Sequence, residues 1–257
     1  MNDKIKYLVL LYNTKILDSI AYRCVKDNDV IIFDNSDDQA IIEYNKNYAD
    51  NHQLIYIGEG QNLGNYKAYN RVFDYMENNF PDQHLVILDS DSEIDGDYQQ
   101  VDINHDHACL YLPKIYSVRQ KLVVFPHYYR GLIMTIARPL KKVRKIQAIN
   151  SGMLFNNLFM QKYRYDEKFK AYCGDFALMD YVVKNNIAYQ QIDVIIKQEF
   201  FVQNLEYTDK TYDRLKLRME DNRKYKPPFM FFFFKVFSPI YNAIRFRKLK
   251  ILKLILE

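Results

Sequence analysis

The sequence predicts an α/β protein, a doubly wound, mostly parallel sheet that carries a basic, aromatic helical appendage at its C-terminal end. Three observations lead there. Short apolar runs alternate with helix-period segments every 20 to 30 residues along the first hundred positions, the pattern of strand-helix-strand units. Acidic and amide residues follow directly on two of those runs, at the sheet edge where ligands gather in such folds. Near residue 209 the charge changes sign: positions 1–209 hold 23 Lys and Arg against 28 Asp and Glu, and positions 210–257 hold 13 against 4.

The elements follow in order. Residues 6–11 are apolar enough for a buried strand, and Asn13 and Thr14 can cap a helix running to Val25, with Ile16, Leu17, Ile20 and Ala21 at helical spacing. Residues 30–33 form a second strand ending in Asp34-Asn35-Ser36, and residues 40–51 a helix. A third strand at 54–57, a loop at 58–64, a helix at 66–79 and a strand at 85–88 complete the first half. Past residue 100, strands are expected at 109–113 and 192–196 and a helix within 169–185. The basic, apolar stretch 128–145 reads as either a mobile loop or a helix.

Composition excludes several classes. With 49% apolar residues, 257 positions suffice for one large core or two modest ones, so neither disorder nor a small disulfide-stapled scaffold is indicated. A net charge of only +4 argues against a nucleic-acid binder that relies on a whole-surface positive field. Cys24, Cys109 and Cys173 lie far apart and form no CxxC pattern, which points to a reducing compartment. The N-terminal residues pass straight into a strand, so a cytoplasmic protein without a secretory leader is expected. The longest apolar run, 229–234, is too short for a membrane span.

Asp89-Ser90-Asp91 is the strongest local feature. Two carboxylates one residue apart, where a buried strand leaves the sheet, can ligate a hard cation such as Mg²⁺ or Mn²⁺ that keeps its other positions for water and phosphate oxygens, whereas in an ordinary acidic loop the same pair is a solvated turn or a set of capping aspartates. Asp34 can accept hydrogen bonds from a base or ribose edge, or it can close an Asx-turn. Asn62, Gly64 and Asn65 open a helix whose free N–H groups suit a phosphate or ribose, although capping alone also explains them. In the second half, Asn150-Ser151-Gly152 is followed by Tyr165-Asp166-Glu167 and by Cys173-Gly174-Asp175 with Asp180.

Taken in order, these pieces resemble the bacterial family 2 glycosyltransferases of the GT-A fold, in the layout of their rhamnosyltransferase-like branch, over residues 5–200. The resemblance implies an inverting transferase that uses a nucleoside-diphosphate sugar and Mn²⁺ or Mg²⁺. Residues 1–100 would be its nucleotide-sugar half and 101–209 its acceptor half. By the same resemblance, Asp34 with Asn35 reads the base, Asp89 approaches the ribose, Asp91 holds the metal against the diphosphate, and Asn62, Gly64, Asn65, Ser151 and Gly152 line the donor. Asp175 matches the general base, and Asp180 and Asp166 remain alternatives.

The chain departs from the family where relatives place a His after the next strand; here that position reads Lys197-Gln198-Glu199. The metal would then be held by Asp91, diphosphate and water alone, or Lys197 or a residue of the 128–145 stretch would supply positive charge. His105 and His107 around Asp106 read as an exposed polar loop. The tail, 210–257, combines dense aromatics with Arg and Lys, which suits an anionic membrane surface or, alternatively, a packed helix or oligomer contact. Membrane attachment fits a lipid-linked glycan acceptor in surface polysaccharide synthesis, which the resemblance implies. A sugar-phosphate nucleotidyltransferase would need a Gly-rich basic loop after the first strand, and Tyr12-Asn13-Thr14 is not one. A membrane-bound scaffold with a degenerate site is the non-enzymatic alternative.

Overall fold

The computed structural model describes residues 4–130, 133–138, 143–200 and 207–256. Its first half contains β1 (Ile5–Leu11), α1 (Ile20–Val25), β2 (Val30–Asp34), α2 (Gln39–Asn51), β3 (Ile55–Gly58), α3 (Asn65–Asn79) and β4 (His84–Asp89). These strands pair in parallel in the order β3-β2-β1-β4. Every residue of β1 and β2 is buried, because helices cover both faces, and this is why both strands read as continuous apolar runs without alternation. Register carries the functional consequence. Leu11 lies opposite Asp34 and Leu10 opposite Asp89, so the two carboxylates end their strands at one level on one edge.

The helix expected from Asn13 to Val25 is instead a 3-10 turn, Ile16–Asp18, followed by α1. Ser19 makes the break. Its backbone is extended and its hydroxyl accepts the N–H of Tyr22 at 3.1 Å, so it caps a new helix where a continuous one would have run through.

The second half adds β5 (Glu93–Asp95), β6 (Cys109–Ser117), β7 (Leu122–Phe125), β8 (His127–Arg130), β9 (Ile133–Ile136), β10 (Lys145–Gln147), β11 (Leu154–Phe155), α4 (Asn157–Met160), α5 (Gly174–Lys184) and β12 (Ala188–Gln198). The large sheet continues β4-β11-β6-β12-β5, with β7 on β6. β11 runs antiparallel to both of its neighbours, and β12 runs parallel to β6. The 128–145 stretch contains no helix where it is described and is mostly strand: β8, β9 and β10 form a separate antiparallel sheet. Tyr128 decides this. Its ring is fully buried against Tyr189 and its hydroxyl bonds Gln191 on β12, a partner from 63 residues away.

Two apolar layers sandwich the large sheet, one built on Tyr66, Tyr69 and Phe73 of α3, the other on Ile16, Tyr22 and Ala49 beside α1 and α2. After them come α6 (Asp209–Tyr225), α7 (Pro228–Phe246) and a closing 3-10 segment, Leu249–Ile255. They share a small third core of Leu215, Ala243, Phe246, Ile251 and Leu254. The body and the C-terminal helices are also joined. Asp221 of α6, fully buried, accepts the backbone N–H groups of Lys170, Ala171 and Tyr172, and Tyr225 donates to Asp180 at 2.7 Å. Among the described residues no helix is long and apolar enough to cross a membrane.

Candidate active site

The turn after β4 is held from behind, and this leaves its carboxylates facing forward. The Ser90 carbonyl accepts the N–H of Ile20 at 2.9 Å and the Ser19 hydroxyl at 3.0 Å, so the N-terminus of α1 grips the backbone of the turn. Ser92 closes the turn onto the Asp89 carbonyl at 3.0 Å, and its hydroxyl lies 2.5 Å from that of Ser151. Ser151 and Gly152, expected to line the donor, sit under the turn instead. Ser151 is 1% exposed and accepts the N–H of Asp89. Gly152 bonds the Ile87 carbonyl at 2.6 Å, and its φ of +78°, with Ile196 2.3 Å from any added Cβ, requires glycine. Both residues therefore position Asp89 and Asp91 from beneath.

Asp89 is half-buried, with the Tyr69 hydroxyl 3.4 Å from its Oδ1. Loss of hydration, reinforced by the charge of Asp91, pushes its carboxyl up to about 7. Asp91 is solvent-exposed at the lip of the same turn. It too is raised by desolvation and by Glu199, while Arg214 of α6 acts against the rise.

Asp175 comes from the other half of the chain. Cys173, in the left-handed region at φ +68°, reverses the backbone into α5 and sets Asp175 in its first turn. Gly174 lies flat on the Tyr66 ring, which is 2.5 Å from where a Cβ would stand. Burial pushes Asp175 up to about 7 even though the Phe176 N–H donates to it at 2.9 Å, and the charge of Asp89 adds to the rise. The two alternatives to Asp175 are engaged elsewhere: Asp166 pairs with Lys168 at 2.6 Å and Asp180 takes the Tyr225 hydroxyl. Of the three, Asp175 is the one on which the charge of Asp89 acts.

On the β2 side the candidate residues form a connected scaffold. Asp34 is 1% exposed, and its carboxylate accepts from Asn45 at 2.8 Å, Tyr56 at 2.9 Å and the Ser36 N–H at 3.1 Å, so it faces inward and braces the strand ends. Asn35 joins the next loop: its side-chain amide donates to Asn62 Oδ1 at 3.1 Å and its own Oδ1 accepts the Leu63 N–H at 2.7 Å. Asn62 also accepts the Gly64 N–H at 2.8 Å. The first N–H of α3, expected to be open to a phosphate, is already taken, since Asn65 donates to the Lys170 carbonyl at 2.6 Å.

The cation expected from Lys197 lies elsewhere. Lys197 pairs with Glu93 and Asp95 across the β12-β5 ladder. Arg214, from the segment set apart as a tail, is the cation acting on Asp91. No local pattern in the charged α6 sequence singles it out. Tyr69, one helical turn after Tyr66 on the inward face of α3, had a visible signal in that spacing.

Carboxylate oxygens at Asp89 and Asp91 fit a hard divalent cation. Crowded acids with raised affinity for protons gain most from a positive neighbour, and the hard-cation site of nucleotide enzymes uses one or two carboxylates, with phosphate and water completing the shell. Among the described residues no group of three or more His, Cys, Asp or Glu forms a cage, His105 and His107 included.

Several solved structures share this fold. GalNAc-T7, solved with UDP, GalNAc and Mn²⁺, superposes with a TM-score of 0.58 at 10% identity over 98% of this chain and 53% of its own. S. aureus TarS gives 0.50 at 14% identity over 84% of this chain and 39% of its own, and TarS 1-349 in complex with UDP gives 0.50 at 15% over 87% and 67%. The fold is that of the GT-A glycosyltransferases. The chain spans about half the length of GalNAc-T7 and less than half of TarS. No protein-family model and no curated protein matches the sequence. Within the GT-A fold, the edge bearing Asp89 and Asp91 is the carboxyl end of the parallel strands, where open α/β sheets place their ligands.

Proposed function

We propose that the protein is an inverting glycosyltransferase that moves a hexosyl or deoxyhexosyl group from a nucleoside-diphosphate sugar to an acceptor hydroxyl. The observation that carries the reading is a line of three carboxylates, two at a strand end and one at a helix start from the other half of the chain, in which the charge of Asp91 acts on Asp89 and that of Asp89 acts on Asp175. Asp91 and Asp89 would hold Mn²⁺ or Mg²⁺, which when bound neutralises charge on the departing nucleoside diphosphate. Asp89 lies toward the ribose. Asn35, Asn62, Gly64 and Asn65 shape the base side over the brace of Asp34, while Ser151 and Gly152 fix the acidic turn. Asp175 accepts the proton of the attacking hydroxyl. A carboxylate raised to about 7 is suited to this task, because a general base works best with a pKa near the working pH. Attack and departure occur on opposite faces of the anomeric carbon, which inverts it.

The acceptor we propose is a lipid-linked glycan in bacterial surface polysaccharide synthesis, met at the cytoplasmic face of the membrane. The basic C-terminal segment and three cysteines without disulfides support that setting. Screening UDP-, GDP- and dTDP-sugars for thermal stabilisation, with and without Mn²⁺, tests the donor half. A donor at 100 times its Kd adds about 2.7 kcal/mol. No stabilisation by any of them would sink the reading.

A further inference from the structure

α7 turns an apolar face outward. Most surface helices bury their apolar stripe and turn polar residues to water. Here Phe229, Phe233, Phe237 and Ile244 recur at helical spacing on the outer side, with Phe232 and Tyr241 beside them, and their exposures run from 44% to 73%. The inner side, packed on α6 and the closing segment, buries Pro239, Ala243 and Phe246 together with Asn242, which donates to the Ser238 carbonyl at 2.7 Å. The outer rings are ordered against one another. Phe229 and Phe233 meet edge to face at 4.9 Å, and Phe233 and Phe237 stack at 6.2 Å. No charged residue lies on that arc. A continuous exposed apolar face of this kind marks an interaction site.

The charge around it selects the partner. Residues 222–256 contain nine Lys and Arg and no Asp or Glu. A second copy docked through the same face would bring two such segments together, and like charges would oppose the contact. An anionic bilayer accepts both features at once: phenyl rings enter the boundary between headgroups and acyl chains, and the cations meet lipid phosphates. A 19-residue helix is about 28 Å long, which gives room for the whole face to lie in the interface plane.

We infer that α7 is a monotopic membrane-docking helix that lies flat on an anionic lipid surface with its Phe229, Phe233, Phe237 and Ile244 face inserted. The inference deepens the proposed transferase by naming the element that brings it to a lipid-linked acceptor. Its test is separable from catalysis.

The full chain is sedimented with vesicles of equimolar phosphatidylglycerol and phosphatidylcholine, and with phosphatidylcholine alone. Wild type should bind the anionic vesicles at low salt and lose affinity as salt rises. The double variant Phe233→Glu/Phe237→Glu should lose about tenfold or more in partitioning, since both rings are exposed and leave the interface together. Its circular dichroism and thermal midpoint should match wild type. The exposed pair Lys250→Glu/Lys253→Glu should reduce binding to the anionic vesicles while leaving the weak binding to neutral ones. Wild type that ignores anionic vesicles at low salt, or a Phe233→Glu/Phe237→Glu chain that binds as well as wild type, overturns the inference. A wild-type dimer that this double variant abolishes, in a chain that ignores vesicles, assigns the face to a second copy instead. Donor stabilisation is measured on the same samples. If it is absent while vesicle binding behaves as expected, the transferase reading fails and the docking helix stands.

Discussion

Asp221 of α6 accepts the backbone N–H of Lys170 at 3.1 Å, and the carbonyl of that same residue takes the first N–H of α3, from Asn65, at 2.6 Å. One buried carboxylate in the C-terminal segment thus holds the loop on which α3 is seated, and α3 carries the Tyr66 and Tyr69 rings against Asp175 and Asp89. The helices after residue 209 reach the site through their backbone contacts as well as through Arg214.

Asp221→Ala should be among the costliest single changes in the chain. It leaves the N–H groups of Lys170, Ala171 and Tyr172 without their acceptor, and an orphaned donor costs about 1–3 kcal/mol where it is shielded from water. Denaturant unfolding should show a loss of about 3 kcal/mol or more. A loss under about 0.5 kcal/mol would show that water replaces the carboxylate and that α6 is not part of the body.

Asp91→Ala should abolish the Mn²⁺-dependent part of donor stabilisation without lowering the melting temperature of the free protein, because the side chain is exposed at the end of its turn and its charge opposes that of Asp89. Asp89→Ala should weaken donor binding less. Persistence of full Mn²⁺-dependent stabilisation in Asp91→Ala would remove the metal from this turn.

Asp175→Asn should lower transfer by roughly 10²- to 10⁴-fold while donor affinity stays within a few-fold, since a general base acts on the acceptor. With the base raised to about 7, wild-type turnover should climb as pH passes through that value. If Asp175→Asn keeps wild-type turnover and Asp180→Asn or Asp166→Asn does not, the base is that other carboxylate.

Stability of the metal-free protein should fall as pH rises from about 4 to 7. Asp89 and Asp175 are raised to about 7 in the folded chain from an ordinary 3.8, so across that window the native state holds protons that the unfolded state has released. Thermal midpoints recorded across this range should drop more steeply for wild type than for Asp175→Asn, which has one fewer such group. Parallel curves would mean that Asp175 is hydrated in solution and ordinary in its titration.

Gly174→Ala should impair transfer without altering any carboxylate. An added Cβ would stand 2.5 Å from the fully buried Tyr66 ring, so the start of α5 must shift and move Asp175 with it. Turnover should fall about tenfold or more, because catalysis depends on placement to within about an ångström. Turnover equal to wild type would show that the base tolerates displacement.

The alternation of β1, β2, β3 and β4 with their helices was legible in the sequence, because strands covered on both faces must be apolar throughout and the turns between them must be polar. So was the placing of Asp34, Asp89 and Asp91 at strand ends, a matter of neighbours along the chain. Ser19 breaking a helix, and Tyr128 pulling its segment into a second sheet, depended on partners that no local window contains. Direction was likewise beyond the sequence. Asp34 and Ser151 occupy the expected edge, but Asn45, Tyr56 and Ser92 turn them inward, and only packing sets which way a side chain at a strand end points. The aromatic density of residues 229–246 announced a surface for something apolar, and the contacts of Asn242, Ala243 and Phe246 decided which side of α7 faces out. Asp221 and Arg214 read in sequence as two charges on a solvated helix. They act on the site because the chain folds back over α5, and energies that come from contacts distant along the chain leave no periodic trace in it.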